Sequence, residues 1–177
     1  MSEKITFDKL KNKEVPLKIK AFQLNGETIE VKEYLPINDK LNLITAVLQQ
    51  VAQNEYPFAN PVQMDVYTTL EIVYAYSNIK FTEEEKANPA ALYDELEKYD
   101  IANKVIAAIP ETEYKFIIEG VEETIAAYYA YQNSVLGILE NVSKDYSALN
   151  FDATELQKKM SDPTQLTLLK NIMDKLG

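Results

Sequence analysis

Residues 111–143 read ETEYKFIIEGVEETIAAYYAYQNSVLGILENVS, and their apolar side chains recur at the spacing of one helix face. The recurring positions, alternately four and three residues apart, are Tyr114, Ile118, Val121, Ile125, Tyr128, Gln132, Val135, Leu139 and Val142. Further apolar residues widen this face beyond the narrow seam of a two-stranded coiled coil, which favours the middle of a helical bundle. The stretch therefore predicts one long central helix of about 50 Å. Gly120 and Gly137 within it predict a bend or a close contact with another helix.

Two helices are predicted upstream of this stretch. Asn38 or Asp39 can cap the first, which is expected to run to about Asn54. Its expected buried positions are Leu41, Ile44, Leu48 and Val51. Asn60 as the cap and Pro61 as the first helical residue open the second. Its expected buried positions are Val62, Val66, Leu70, Val73 and Ser77.

Further helix starts are predicted from local capping signals. Thr82 followed by Glu85 is a capping-box pattern, and Asn88-Pro89 predicts another start. Residues 101–109 are typical of a short helix that Pro110 closes. Downstream of the long helix, two more helices are expected at 152–160 and 163–177.

Residues 17–34, LKIKAFQLNGETIEVKEY, predict a β-hairpin. Asn25-Gly26 between alternating runs is the strongest short-range hairpin signal, because both central residues of a type I′ turn need positive φ. A two-residue loop places Phe22 opposite Ile29 and Lys20 opposite Val31. Leu17, Ile19 and Ala21 then point to the other face, so a twist or bulge is expected near Ala21. The hairpin must pack on the helices, since an isolated hairpin is marginal in water.

The predicted fold class is therefore mainly α, with an N-terminal β-hairpin packed on a multi-helix bundle that has one long central helix. Residues 17–177 are expected to form a single domain, with the hairpin at 17–34 and the bundle at 36–177. A basic N-terminal segment, 1–16, precedes it. The first 20 residues hold six lysines against three acidic residues, whereas the whole chain has a formal charge of −10. An acidic body repels phosphates, so no direct binding of nucleic acid is expected.

The composition argues against catalysis. The chain has no histidine, cysteine, tryptophan or arginine, so it lacks the usual general base, the thiolate nucleophile and the bidentate anion fork. Carboxylate runs at Glu83-Glu84-Glu85 and Glu122-Glu123 are expected to be structural, because acid/base work needs two carboxylates in different environments. No metal or cofactor site is expected. The longest apolar run, 125–131, is too short to cross a membrane, and the first residues lack a signal-peptide core.

The tyrosines are the candidate partner-binding residues. Tyrosine is enriched at interfaces because it buries a rigid ring while keeping a polar tip. The residues expected at the edge between core and solvent are Tyr74, Tyr76, Tyr129 and Tyr131. Packing at the bundle surface is the alternative role for the same rings.

Four strings carry a family resemblance: VKEYLPINDKLNLI (31–44), NPVQMDVYTTLEIVYAYSNIKFTEEEK (60–86), NSVLGILE (133–140) and LTLLKNIMDKLG (166–177). With them the chain resembles a family of small acidic proteins encoded among the virion-assembly genes of tailed phages of low-GC Gram-positive bacteria. It is similar, more loosely, to tail assembly chaperones. The resemblance carries no catalytic motif and assigns no residue.

The missing catalytic residues, the lack of a signal-peptide core or membrane span, and the setting that the resemblance implies together predict a non-enzymatic virion-assembly factor, similar to a tail assembly chaperone, that binds a phage structural or assembly protein in the host bacterial cytoplasm. One alternative is a structural head-tail or tail component retained in the virion. Another is an acidic DNA mimic that occupies a host protein. Whether the chain forms a homo-oligomer stays open.

Overall fold

The computed structural model describes residues 6–10, 17–52 and 58–139. The chain divides into two compact units, Met1–Tyr129 and Ala130–Gly177. The elements in chain order are α1 (Phe7–Leu10), β1 (Ile19–Leu24), β2 (Glu27–Lys32), α2 (Ile37–Ala52), α3 (Pro61–Tyr76), α4 (Glu83–Lys86), α5 (Pro89–Lys98), α6 (Ile101–Ala108) and α7 (Glu111–Gln132). The mainly α fold with an N-terminal hairpin is thus confirmed. The single domain over 17–177 stays a prediction, and the helices expected at 152–160 and 163–177 lie outside the described residues.

The hairpin has the predicted turn and register. Asn25 and Gly26 have φ of 51° and 87°, as a type I′ turn requires. Phe22 pairs with Ile29 and Lys20 with Val31, as predicted. Of the twist or bulge expected near Ala21, the bulge is wrong, because the pairing is unbroken along the whole of β1; the twist stays a prediction. No bulge is needed, since the outer face of β1 stays in solvent: Leu17 and Ile19 are 53% and 55% exposed.

The first unit is built around α3, which packs against α2, α5 and α6. The hairpin joins this bundle through β2, whose Val31 is fully buried and forms a β-bridge with Ser77 just after α3. The core cluster also takes in side chains of α7, namely Ile117, Val121 and Ile125. The hairpin is therefore packed on the helices, as expected.

Three of the predicted helix caps are confirmed. The Asn60 side chain accepts hydrogen bonds from the backbone of Val62 and Gln63, with Pro61 as the first helical residue of α3. Thr82 and Glu85 form the reciprocal capping box at α4, and Asn88 caps α5. The caps predicted for α2 are wrong. This helix begins at Ile37, because the carbonyl of Pro36 already accepts from the backbone N–H groups of Asp39 and Lys40.

The buried face of α2 also differs from the prediction. The residues of α2 that are buried are Lys40, Leu43, Ile44, Val47 and Val51, whereas Leu41 is 54% exposed. Compared with the predicted orientation, α2 is rotated about its axis so that Lys40 lies on the buried face. There the ammonium group of Lys40 forms an ion pair with Glu113 of α7. On α3 the expected core residue Val62 is 70% exposed, because it lies in the first turn beyond the packed part of the helix.

The long helix predicted over 111–143 ends at Gln132. Residues 133 and 134 are not helical, and a new helical segment begins at Val135. Ser134 makes the break: its N–H and its hydroxyl both donate to the carbonyl of Tyr131, and its hydroxyl accepts from the N–H of Gly137. The helix is continuous through Gly120, where the predicted close contact is confirmed, because an added Cβ would lie 2.7 Å from Cδ1 of Ile44.

Candidate functional site

Tyr76 is a core residue, so its predicted exposure is wrong. The side chain is 1% exposed, and its hydroxyl donates to Oε1 of Glu113 at 2.9 Å. Burial and then this hydrogen bond raise the pKa of the Tyr76 hydroxyl far above its ordinary value. The ring cannot touch a partner without unfolding this part of the chain.

Tyr129 is half-buried and anchored. Its hydroxyl donates to the carbonyl of Val51 at 3.2 Å, and its ring packs edge-on against Tyr128 with centroids 5.3 Å apart. Burial is also the main reason that the pKa of Tyr129 is raised. The residue ties α7 to the end of α2. Tyr131, the fourth predicted residue, is 44% exposed and belongs to the second unit.

Tyr74 lies at the edge between core and solvent, as predicted. It is half-buried on α3, and its ring packs edge-on against Phe81 with centroids 5.1 Å apart. Two surface cavities share Tyr74 and Glu71 among their walls, with volumes of about 160 Å³ and about 460 Å³. We call Tyr74, Glu71 and these two cavities the Tyr74 ridge.

The walls of the ridge combine apolar and charged groups. The larger cavity is lined by Lys32, Leu35, Asp39, Asn42, Leu43, Ala46, Glu71, Tyr74 and Ala75. The smaller one adds Gln50, Tyr67, Leu70, Lys86 and Pro89. Four of the nine residues around the larger cavity are charged or carry an amide. Small-molecule pockets are mostly apolar with few polar groups, so this lining is closer to that of a protein interface with a polar rim.

Glu71 is the most unusual carboxylate of the ridge. Burial raises its pKa above the ordinary value of 4.5, and Lys86 only partly offsets this effect. In the part of the chain that the structure describes, no lysine lies within ion-pairing distance of Glu71. The same carboxylate, with Glu85, raises the pKa of Tyr74, although burial is the larger cause. A half-desolvated negative charge beside an aromatic ring costs stability, as groups at binding sites often do.

Sequence reasoning missed Glu71, although a signal was present. Glu71 and Tyr74 stand three residues apart, which places both on one face of a helix. The charge at position 71 also interrupts an otherwise apolar stretch of α3 between Leu70 and Ile72. Asp39 and Lys32 come from other elements, so only the fold brings them to the ridge.

A second polar cluster lies inside the first unit. Lys40, with a side chain 8% exposed, donates to Oε2 of Glu113 at 2.7 Å. Its ammonium group also lies 4.5 Å and 4.8 Å from the ring centres of Tyr34 and Phe116. The other oxygen of Glu113 accepts from the N–H of Leu35 at 3.0 Å and from Tyr76.

This cluster is fully engaged and therefore structural. Burial acts to raise the pKa of Glu113, but the bonds from Lys40, the Leu35 N–H and Tyr76, with the positive charge of Lys40, together lower it below 4.5. A general acid or base needs a free position facing a substrate. Neither Lys40 nor Glu113 lines either cavity of the Tyr74 ridge.

Among residues 6–10, 17–52 and 58–139, no group of three or more acidic side chains is arranged to hold a metal ion. Over the same residues, no helix combines the length and apolar character needed to span a membrane. The sequence matches no protein-family model, and comparisons with curated proteins and with solved structures also give no match.

Proposed function

We propose that this chain is a non-enzymatic protein-binding factor of phage virion assembly, with a role like that of a tail assembly chaperone. The Tyr74 ridge is the observation that supports it most. In this ridge the ring of Tyr74 lines two cavities, and the partly desolvated carboxylate of Glu71 lines both of them as well. Both residues belong to α3, which is packed in the bundle. An aromatic anchor surrounded by polar groups is the usual centre of a protein interface. The setting in virion assembly rests on the resemblance of the four strings described above.

A structural component of the virion is the second candidate, and the second unit supplies the observation that favours it. The new helical segment exposes Val135, Leu136, Ile138 and Leu139 by 76%, 66%, 51% and 60%. Adjacent exposed apolar side chains are typical of surfaces that another chain covers. A subunit that stays in an assembled particle has such surfaces.

Co-purification with phage structural and assembly proteins tests the binding role. We expect Tyr74→Ala to weaken capture of one such protein by roughly thirtyfold, as removal of a central aromatic anchor does. Glu71→Lys should weaken it as well while leaving the ring in place. Tyr99→Ala is the matched control, because Tyr99 is 50% exposed and does not line the ridge.

The outcomes separate the candidates. Circular dichroism and thermal melting must first show that both ridge variants fold. If both bind like the wild type, the ridge is not the interface. Mass spectrometry of purified virions then distinguishes the two roles, because abundant copies in mature particles contradict the chaperone role. Capture of a host DNA-binding protein that both DNA and high salt reverse would instead support the DNA-mimic alternative.

A further inference from the structure

The outer edges of the two hairpin strands differ in whether their outward backbone groups are hydrogen-bonded. In a hairpin with a two-residue loop, Leu24 and Glu27 form the first hydrogen-bonded pair, and hydrogen-bonded pairs then alternate with pairs whose N–H and C=O groups point outward. The bond from the N–H of Glu33 to the carbonyl of Lys18, at 2.8 Å, fits this alternation. The outward-pointing residues are therefore Ile19, Ala21 and Gln23 on β1, and Thr28, Glu30 and Lys32 on β2.

Asn78 covers the outer edge of β2. Its side-chain oxygen accepts from the N–H of Glu30, its backbone N–H donates to the carbonyl of Glu30, and its side-chain amide donates to the carbonyl of Thr28. Among the residues that the structure describes, none covers the edge of β1 in this way. Within the described residues, no hydrogen bond reaches the outward backbone groups of Ile19, Ala21 or Gln23.

We propose that the open edge of β1 is a docking site for an extended segment of a partner protein, in which apolar and acidic residues alternate. The segment adds a third strand to the sheet. Three alternate residues with outward N–H and C=O groups give it a pairing length of about 14 Å, at roughly 3.4 Å per residue. Backbone pairing of this kind is an established mode of peptide recognition.

The side chains of β1 define the chemistry of the segment. Leu17 and Ile19 are more than half exposed on one face, so they match apolar residues of the added strand. Lys18 and Lys20 lie on the other face and match acidic residues. The Lys20 side chain is 48% exposed and forms an ion pair with Glu33 at 3.6 Å. Lys18 has no ion pair in the described part of the chain, so it is the lysine most available to an acidic residue of the added strand.

Charge disfavours a second copy of this chain as the occupant. Residues 17–24 carry two lysines and no acidic residue, although the whole chain has a formal charge of −10. Two such strands side by side would bring four lysines together. Lysines on an edge strand are a common device against self-pairing. The same lysines attract an acidic segment, so the edge selects its partner by charge.

This site is independent of the Tyr74 ridge and goes beyond the proposed function. The probe for it is a capped eight-residue peptide of alternating valine and glutamate, added to the full chain. The control peptide has lysine in place of glutamate. We expect the glutamate peptide to bind at least about tenfold more tightly than the control, and to slow hydrogen exchange of the Ile19, Ala21 and Gln23 amides in NMR spectra. These three amides exchange quickly in the free protein because they point to solvent.

Ala21→Pro is the decisive variant. Proline removes an outward N–H that makes no bond to β2, and proline is tolerated at such edge positions. We expect the hairpin to remain and binding of the glutamate peptide to fall by at least about tenfold. Lys18→Glu is the second variant, and it keeps the test decisive if Ala21→Pro does not fold. Lys18→Glu should weaken binding of the glutamate peptide and strengthen binding of the lysine peptide.

Several results would overturn the proposal. Failure of the glutamate peptide to exceed the control is one, and protection of amides outside β1 is another. Concentration-dependent dimerisation of the free chain that protects the β1 amides would make a second copy the occupant instead. The Tyr74→Ala variant should bind the peptide like the wild type. The experiment therefore distinguishes a wrong assignment of the Tyr74 ridge as an interface from a wrong assignment of the β1 edge as a docking site.

Discussion

At the scale of single residues, the most consequential contact joins Lys40 and Glu113, which are 73 positions apart. Its geometry explains why Lys40 is on the buried face of α2 while Leu41 is exposed. A buried pair contributes little net stability, because desolvation of both charges offsets their attraction. Loss of one partner is costly, however, since it leaves the other charge buried and unpaired.

Lys40→Met should therefore destabilise the protein by about 3–5 kcal/mol, because Glu113 is left without its cation. The double variant Lys40→Met/Glu113→Gln should recover more than half of that loss. Glutamine still offers an oxygen to the Leu35 N–H and to Tyr76 but carries no charge. Urea unfolding of the three proteins measures both effects. Equal destabilisation by the single and the double variant would show that lost packing of Lys40, rather than the unpaired charge, is the cause.

The role of Tyr129 is testable in the same way. Tyr129→Phe removes only the bond to the carbonyl of Val51, so we expect a loss of about 0.5–1.5 kcal/mol in the free energy of unfolding. Tyr99→Phe is the control and should leave stability unchanged, because Tyr99 is half exposed. If Tyr129→Phe is neutral while it weakens partner capture, Tyr129 is a surface residue, as the sequence first suggested.

At the scale of elements, the features predicted correctly are those with local causes. The Asn25-Gly26 turn and the caps at Asn60, Thr82 and Asn88 depend on residues a few positions apart. The burial of Tyr76 depends instead on Glu113, which is 37 positions away and leaves no periodic signal. The end of α7 had a local signal that the apolar spacing hid. Ser134 before an apolar run is an N-cap pattern, and it interrupts the helix despite the continuing 4-3 repeat.

The contact between α7 and α2 at Gly120 yields an element-scale prediction. In Gly120→Ala the new Cβ meets Cδ1 of Ile44, which Ile44→Val removes. Ile44→Val alone should cost about 0.5–1.5 kcal/mol. In the Gly120→Ala background, Ile44→Val should lower the free energy of unfolding by at least about 0.5 kcal/mol less than it does alone, because removal of Cδ1 relieves the close contact with the new Cβ. Urea unfolding of the four proteins gives this coupling, and additive effects would mean that the helices separate at this point.

At the scale of the whole molecule, the sequence predicted the mainly α architecture and the hairpin, and it placed three of the four tyrosines at the edge between core and solvent, whereas Tyr76 is buried. Local patterns determine which segments are helical, whereas the site depends on which faces meet. Leu41 and Val62 were expected in the core for their helical spacing alone, and both are more than half exposed. Glu71 and Asp39 reach the same cavity from two helices. That meeting follows from tertiary packing.

The pH dependence of the free energy of unfolding tests the opposite pKa shifts of Glu113 and Glu71. The pKa of Glu113 is lowered from 4.5 in the folded chain, so its contribution is complete above about pH 4.5 and is lost as the pH falls through the lower folded value. Glu113→Gln should therefore be less stable than the wild type at pH 7, and this difference should shrink only below about pH 4.5.

Glu71 has the opposite sign. Its pKa is raised from 4.5, so the folded protein is penalised at neutral pH and relieved as the pH falls through that raised value. Glu71→Gln should then be more stable than the wild type at pH 7, with a difference that shrinks as the pH falls through the raised value and is lost only below about pH 4.5. Urea unfolding of the three proteins from pH 3 to pH 7 measures both differences. If Glu71→Gln is less stable than the wild type at pH 7, the Glu71 carboxylate stabilises the fold and is not a destabilising group retained for binding. The charge of Glu71 then no longer supports the Tyr74 ridge as an interface.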